Sequence, residues 1–245
     1  MYRADVPVVA SAETFSRALE TVQSPSSVAW GNWRSERRAN YEKTLEPAEL
    51  PGSVHMGHVV RTLSDALPEN AIVSNGAGNY AAFLHRHFAY KGFRTQLAPT
   101  SGSMGYGLPA GVAAAVAYRD RPSIVLAGDG CFMMTCQELA TCMQYNLPVV
   151  VIVANNGMYG TIRMHQEREY PERVVGTRLT NPDFAKFAES FGGHGETVTA
   201  TEEFKPALDR ALAAGTMAVI ELKLDPEALT PRQTLSAIRE AAKKN

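Results

Sequence analysis

Two short polar motifs are the first candidates for chemistry in this chain. Residues 128–130 read Gly-Asp-Gly, and Asn155 and Asn156 follow after an interval of 24 residues. Asp129 offers one carboxylate and Asn156 an amide oxygen, the hard ligands that Mg²⁺ takes when phosphate groups supply the remaining charge. Gly130 has no Cβ, so the backbone there can approach a diphosphate closely. Each motif alone is also a common turn, but the pair at this spacing predicts a metal–diphosphate site.

A second glycine-rich turn lies at Asn75–Ala81, which reads Asn-Gly-Ala-Gly-Asn-Tyr-Ala. A GxGxxA pattern between a strand and a helix resembles a dinucleotide-binding turn. That site also needs an acidic residue about 20 positions later, and no Asp or Glu occurs between Glu69 and Asp120. The sequence therefore argues against a nicotinamide site. It leaves either a plain turn or backbone amides at a helix start that suit a phosphate oxygen.

A third segment, residues 100–110, places Met104 among small residues just before a predicted helix. Methionine usually fills space in a core. The flanking glycines favour a second interpretation, in which Met104 projects into a cleft and supports an aromatic ligand. Both interpretations stay open at this point.

The elements that must position these motifs alternate regularly from His55 onward. Apolar runs such as Ile124–Leu126 and Val149–Val153 have the continuous character of strands buried on both faces of a parallel sheet. Because helical patterns lie between them, the sequence predicts an α/β fold: a three-layer, doubly wound, mostly parallel sheet. Ligands of such sheets bind beyond the carboxyl ends of the strands, so the three motifs are expected at one edge.

The first fifty residues differ in character from the rest. A strand at Val6–Val9, a helix from Ser11 to about Val22 and a charged segment at Trp30–Leu45 precede a Pro- and Gly-containing linker at residues 46–53. One strand and one helix cannot enclose a core alone. The sequence therefore predicts that residues 1–52 are the tail of a truncated domain plus linker, and that residues 53–245 form the binding domain.

Composition excludes several classes of protein. The formal charge is −1 and the pI about 6.6, so no overall positive field favours a nucleic-acid or membrane partner. The apolar runs are too short to cross a bilayer, and the start lacks the pattern of a signal peptide. The three clustered cysteines, without CxxC spacing, favour reduced thiols. A cytoplasmic location is expected.

Taken together, the motifs resemble a known family. Gly128–Gly130, Asn155–Gly160 and Gly102–Ala110 are similar to the signature segments of thiamine-diphosphate-dependent enzymes. The chain from about Ser53 onward looks like the C-terminal diphosphate-binding domain of the group that contains acetolactate synthase, benzoylformate decarboxylase and pyruvate decarboxylase.

The resemblance implies a set of site residues. Asp129, Asn156 and the carbonyl of Met158 would bind Mg²⁺. The other implied cofactor-binding residues are Gly78, Asn79, Gly102, Ser103, Met104, Gly128, Gly130, Cys131 and Tyr159. Two of these carry the family's catalytic roles: Met104 would be the wedge that bends the cofactor, and the Gly102 carbonyl would accept a hydrogen bond from its 4′-amino group.

The resemblance also implies a reaction and a partner. Thiamine diphosphate with Mg²⁺ would decarboxylate a small 2-oxo acid, with or without carboligation, in an acetolactate-synthase-like enzyme. The family's catalytic glutamate lies on a pyrimidine-binding domain, which this sequence does not contain. That domain would come from another chain or a missing N-terminal part, in a homo- or hetero-oligomer. FAD would enter only through the missing middle domain.

Two positions depart from the family pattern, and alternatives remain. Cys131 stands where relatives often carry Ser, so a hydroxyl contact to phosphate would become a weaker thiol contact. His165 stands where biosynthetic acetolactate synthases usually place Trp; it is a rim residue or a proton shuttle. A benzoylformate-type decarboxylase and a non-catalytic thiamine-diphosphate-binding or assembly module stay open, with a general nucleotide-binding domain behind them.

Overall fold

The computed structural model describes residues 3–244, which divide into two compact units, residues 3–43 and 44–244. The first unit contains α1 (Ala12–Glu20) and most of α2 (Gly31–Leu45). Ser11 caps α1, because its side chain accepts the Thr14 N–H, as its residue type predicts. The predicted strand at Val6–Val9 is wrong: its apolar side chains are exposed, and no described strand pairs with it.

The second unit alternates strands and helices. In chain order its elements are α3 (Met56–Ala66), β1 (Ile72–Asn75), α4 (Asn79–His87), β2 (Gln96–Leu97), α5 (Gly107–Ala117), β3 (Ser123–Gly128), α6 (Asp129–Phe132), α7 (Glu138–Gln144), β4 (Val149–Asn155), α8 (Gly160–Glu169), α9 (Phe184–Ser190), β5 (His194–Val198), α10 (Phe204–Ala213), β6 (Ala218–Lys223) and α11 (Leu235–Ala242). A short 3₁₀ turn, Thr201–Glu203, precedes α10.

The six strands form one sheet in the order β2-β1-β3-β4-β6-β5. Every neighbouring pair is parallel, so the predicted doubly wound parallel sheet is confirmed. From β1 the chain continues to β2 on one side and to β3 on the other. The carboxyl ends of β1 and β3 therefore flank a topological switch point, where open α/β sheets bind their ligands.

Both faces of the sheet are covered by helices, which explains the continuous apolar strands. Val150 and Ile152 of β4 face a core shared with α3, α4 and α10. Val149, Val151 and Val153 face a second core shared with α5, α7 and α9. Successive residues of a strand point to opposite faces, so no position of β4 between the two helical layers is left to polar side chains.

The start of the second unit lies directly against its helices. The Nδ1–H of His87, near the end of α4, donates to the Leu45 carbonyl at 3.0 Å, and burial lowers the pKa of this histidine. The predicted boundary at residue 52 concerns family domains and stays a prediction; in the structure, residues 44–52 belong with the second unit. Among the described residues, no helix has the length and apolar character needed to cross a membrane.

Candidate functional site

A cavity of about 230 Å³ lies in the second unit, where the carboxyl ends of β1, β3 and β4 meet. Its walls come from the turns after these strands, from α4 and α8, and from the chain after β6. The lining residues are Met56, Ala77, Gly78, Asn79, Tyr80, Phe83, Gly102, Met104, Gly128, Asp129, Gly130, Cys131, Ala154, Asn156, Met158, Tyr159, Gly160, Thr161, Ile162, Leu224, Ala228 and Leu229. The three motifs singled out in the sequence thus meet at one cavity.

Asp129 is the buried carboxylate of this cavity. It follows the last residue of β3 and begins α6, with 3% of its surface exposed. Its Oδ1 accepts the Gly130 N–H and its Oδ2 accepts the Gly157 N–H, both at 2.9 Å. Burial raises the pKa of Asp129, and hydrogen bonds, the largest from Gly130, oppose that rise. A cation beside this carboxylate would offset the cost of keeping its charge out of water.

The two asparagines after β4 have different environments. The Asn155 amide turns into the sheet: its Nδ2 donates to Glu221 Oε1 at 2.6 Å, and its Oδ1 accepts the Gly157 N–H at 3.1 Å. Asn156 lines the cavity, and its Oδ1 accepts the Met158 N–H at 3.2 Å. Gly157 has φ +70°, a left-handed conformation that favours glycine. This turn brings Asn156, rather than Asn155, to the cavity beside Asp129.

A second chain segment supports the loop that follows Asn156. Tyr159 N–H donates to the Thr177 carbonyl and Leu179 N–H to the Gly157 carbonyl, each at 2.8 Å. These bonds flank an antiparallel bridge between Met158 and Arg178. The Met158 residue predicted to supply a ligand carbonyl is therefore held by backbone pairing, and it lines the cavity.

The C-terminal helix packs over the same region. Leu235 and Ile238 of α11 form a small core with Leu229, against which Met158 and Met164 pack. The Glu167 carboxylate of α8 is 1% exposed and accepts hydrogen bonds from Arg239 of α11 at 2.9 and 3.0 Å.

Glu167 also pairs with Arg163 on its own helix. The Arg239 guanidinium, as the largest influence, lowers the pKa of Glu167 to about 2. The two helices α8 and α11 are therefore joined by a charged group that stays ionised near neutral pH.

Gly128 and Gly130 lie so close to two tyrosine rings that neither position has room for a side chain. A Cβ on Gly128 would lie 2.8 Å from the Tyr80 ring, and a Cβ on Gly130 would lie 2.5 Å from the Tyr159 ring. Asn79 and Thr161 also line the cavity: Asn79 N–H donates to Thr161 Oγ1, whose hydroxyl donates back to Asn79 Oδ1, both at 3.0 Å. The starts of α4 and α8 are thus joined by two hydrogen bonds beside the cavity.

Of the remaining predicted site residues, some line the cavity and others do not. Gly102 and Met104 line the cavity. Ser103 does not: its hydroxyl is exposed and contacts Ser101 Oγ at 2.9 Å. The Cys131 Sγ accepts the Gly105 N–H at 3.1 Å. His165 is exposed on α8 and is absent from the cavity wall.

Sequence reasoning missed Tyr80, Leu229 and Asn181 near the site. Tyr80 had a weak signal, since it follows the glycine turn after β1. Leu229 gave none, because it lies in a loop with no motif. Asn181 precedes a Pro-Asp pair that indicates only a helix start.

The donor set and the cavity fit a metal-bound diphosphate. One buried carboxylate, one amide oxygen and a loop carbonyl meet walls in which two glycines take the place of larger side chains. In the comparison with known families, residues 76–222 match the model described as thiamine pyrophosphate enzyme, C-terminal TPP binding domain. The chain belongs to the thiamine pyrophosphate enzyme family.

Individual relatives agree with this assignment. The chain is 33% identical over 208 residues to the acetolactate synthase large subunit of Parasynechococcus marenigrum (strain WH8102), covering 84% of this chain and 33% of that protein. It is 32% identical over 178 residues to the acetolactate synthase isozyme 2 large subunit of Escherichia coli (strain K12), covering 71% and 32%.

A solved structure shares the fold. The thiamine diphosphate-dependent 4-hydroxybenzoylformate decarboxylase of Rhodococcus jostii RHA1 superposes with a TM-score of 0.68 at 29% identity, covering 74% of this chain and 34% of that one. The chain therefore spans about a third of the length of the relatives it matches.

Proposed function

We propose that the cavity binds thiamine diphosphate through Mg²⁺, and that the chain is the diphosphate-binding part of an enzyme acting on 2-oxo acids. The reaction is decarboxylation, with or without carboligation, as in acetolactate synthase. The observation that carries the proposal is the meeting of Asp129, Asn156 and Met158 at one cavity wall beside Gly128 and Gly130.

Each side of the cavity has a distinct role in this proposal. Asp129 and Asn156 hold the cation with the Met158 carbonyl, and the glycine walls admit the diphosphate. Gly102 and Met104 meet the ring end of the cofactor. When bound, thiamine diphosphate supplies a cationic ring that takes up the electrons released with carbon dioxide. The apolar side chains of Ile162 and Leu229 line the cavity.

Replacement of Asp129 tests the cation site. The variant Asp129→Asn keeps the shape of the side chain but removes the charge, so Mg²⁺-dependent retention of thiamine diphosphate should fall by roughly 100-fold or more. Equilibrium dialysis across a Mg²⁺ series measures this retention. Asp209→Asn is the matched control, since Asp209 lies exposed on α10, paired with Lys205. Equal retention by the two variants contradicts the metal assignment.

A benzoylformate-type decarboxylase is the second candidate. The name of the Rhodococcus neighbour and the run Asn-Gly-Met-Tyr-Gly after Asn155 favour it. Product analysis of the completed enzyme with pyruvate and with benzoylformate separates the two reactions. Acetolactate from pyruvate supports the first candidate, whereas free benzaldehyde from benzoylformate supports the second.

A further inference from the structure

Asn181 contacts the proposed metal ligand from outside the cavity. It lies in the connection between α8 and α9 and is absent from the cavity wall. Its Nδ2 donates to Asp129 Oδ2 at 2.8 Å and to Asn155 Oδ1 at 2.9 Å. One amide group therefore joins the residue that ends β4 to the residue that follows β3.

These contacts close a ring of hydrogen bonds. The Gly157 N–H also donates to both Asp129 Oδ2 and Asn155 Oδ1, so the same two oxygens share two donors. Oδ2 of Asp129 depends on Asn181 for one of these donors. The other oxygen of the Asp129 carboxylate, Oδ1, accepts the Gly130 N–H. Together the three donors determine how the buried carboxylate is turned.

The backbone just before Asn181 is hydrogen-bonded to the loop that follows Asn156, the loop of the proposed metal site. Thr177 and Leu179 pair with Tyr159 and Gly157 through the two backbone hydrogen bonds described above. The amide of Asn181 thus reaches Asp129 from a segment that is already in register with that loop. Groups that hydrogen-bond metal-ligating carboxylates orient the ligands and tune affinity for the metal.

We propose that Asn181 is a positioning residue, which turns the Asp129 carboxylate toward the cation without ligating it. This inference rests on the proposed Mg²⁺ site. A purely structural role predicts instead that Asn181 only stiffens the connection between α8 and α9, and that any other loosening of this connection has the same effect.

Three variants separate these roles. Asn181→Leu keeps a similar side-chain size but removes both donors, and Asn181→Gln retains an amide. Gln166→Ala is the matched control: Gln166 Nε2 donates to the Val175 carbonyl at 2.7 Å, so its loss loosens the same connection without touching Asp129. Circular dichroism melting checks that each variant is folded.

The first readout needs neither metal nor cofactor. Amide hydrogen exchange of Gly157, followed by NMR in the chain alone, reports how well its N–H is held by Asp129 Oδ2 and Asn155 Oδ1, the two oxygens that Asn181 also contacts. We expect roughly fivefold faster exchange in Asn181→Leu, no change in Gln166→Ala, and partial recovery in Asn181→Gln. Unchanged exchange in Asn181→Leu, or equal acceleration in Gln166→Ala, overturns the positioning role.

The second readout is the Mg²⁺ concentration that half-saturates retention of thiamine diphosphate, from equilibrium dialysis. We expect Asn181→Leu to raise this midpoint by about tenfold or more and Gln166→Ala to leave it within about twofold. An unchanged midpoint in Asn181→Leu overturns the inference while the proposed function stands. If the wild-type chain, completed with a pyrimidine-binding domain, retains no cofactor at any Mg²⁺ concentration, the proposed function is refuted and, with it, the role of Asn181 toward the cation.

Discussion

Asp129 combines burial with a dense set of hydrogen-bond donors. Both its oxygens are engaged by backbone or amide N–H groups, so the carboxylate is oriented before any ligand arrives. Burial nevertheless raises its pKa, because those donors compensate only part of the lost hydration. The carboxylate is thus already oriented, and its hydrogen bonds replace only part of the hydration that burial removes. A divalent cation would supply the rest of the stabilisation.

A substitution at Gly130 tests whether the cavity wall that Gly130 and Tyr159 form contacts the cofactor. Its backbone is not in a left-handed conformation, so the constraint is the space for a side chain and not strain. In Gly130→Ala the new Cβ meets the Tyr159 ring and Leu179, so the ring, which lines the cavity, must shift. We expect thiamine diphosphate affinity, measured by calorimetric titration with Mg²⁺ present, to fall by roughly tenfold or more.

Gly31→Ala is the control for this substitution. Nothing lies within 4 Å of a Cβ built at Gly31, so affinity should not change. If Gly130→Ala binds the cofactor as tightly as Gly31→Ala does, the diphosphate does not lie against this wall.

At the residue scale, the sequence predicts the proposed ligands better than the residues that support them. The spacing of Asp129 and Asn156 places both at one sheet edge, the resemblance adds Met158, and all three line the cavity. Asn181 reaches Asp129 from 52 positions away. Its partner is determined by the path of the chain after α8, which no local pattern encodes.

At the element scale, α8 and α11 share one buried ion pair in addition to the apolar packing of Met164 against Leu235 and Ile238. In Arg239→Ala, Glu167 loses two hydrogen bonds and keeps only Arg163 as a charged partner. A buried carboxylate that loses a partner is costly, so we expect the free energy of unfolding to fall by about 2–3 kcal/mol in urea denaturation. Lys243→Ala, at the residue that follows α11, breaks only exposed pairs with Glu172 and Glu240 and should cost under about 0.5 kcal/mol.

The contribution of Arg239 should also depend on pH. The pKa of Glu167 in the folded chain, about 2, lies below its usual value of 4.5. Its ionised form therefore stabilises the fold fully above about 4.5, and this stabilisation is lost as pH falls towards 2. The stability difference between wild type and Arg239→Ala should narrow over that range. A difference that stays constant from pH 6 to 3 excludes Glu167 as its source.

The elements that sequence misses are those without an apolar pattern. In α8 the only fully buried side chain is the charged Glu167. The sequence of this helix therefore lacks the repeating apolar positions from which a helix is predicted. β2 has only two residues. The reverse error occurs at Val6–Val9, where β-branched residues indicate a strand but pair with no described neighbour. Strands between two helical layers, such as β3 and β4, are predicted well because burial on both faces makes them uniformly apolar.

At the scale of the whole molecule, the cavity is expected to be half of an active site. The chain spans about a third of its relatives' length, and the resemblance implies a catalytic glutamate on a separate pyrimidine-binding domain. We expect no release of carbon dioxide from pyruvate by the chain alone, and release after a pyrimidine-binding domain is added. Asp129→Asn in the same mixture is the control. Turnover by the isolated chain contradicts this division of the site.

The position of β6 has a consequence for how the chain folds during synthesis. β6, the last of the described strands to be synthesised, inserts between β4 and β5. Until residues 218–223 leave the ribosome, β4 presents an unpaired apolar edge and β5 has no neighbour in the described sheet. Unpaired strand edges of this kind associate with other chains. A nascent chain paused before residue 218 is therefore the species most in need of a chaperone.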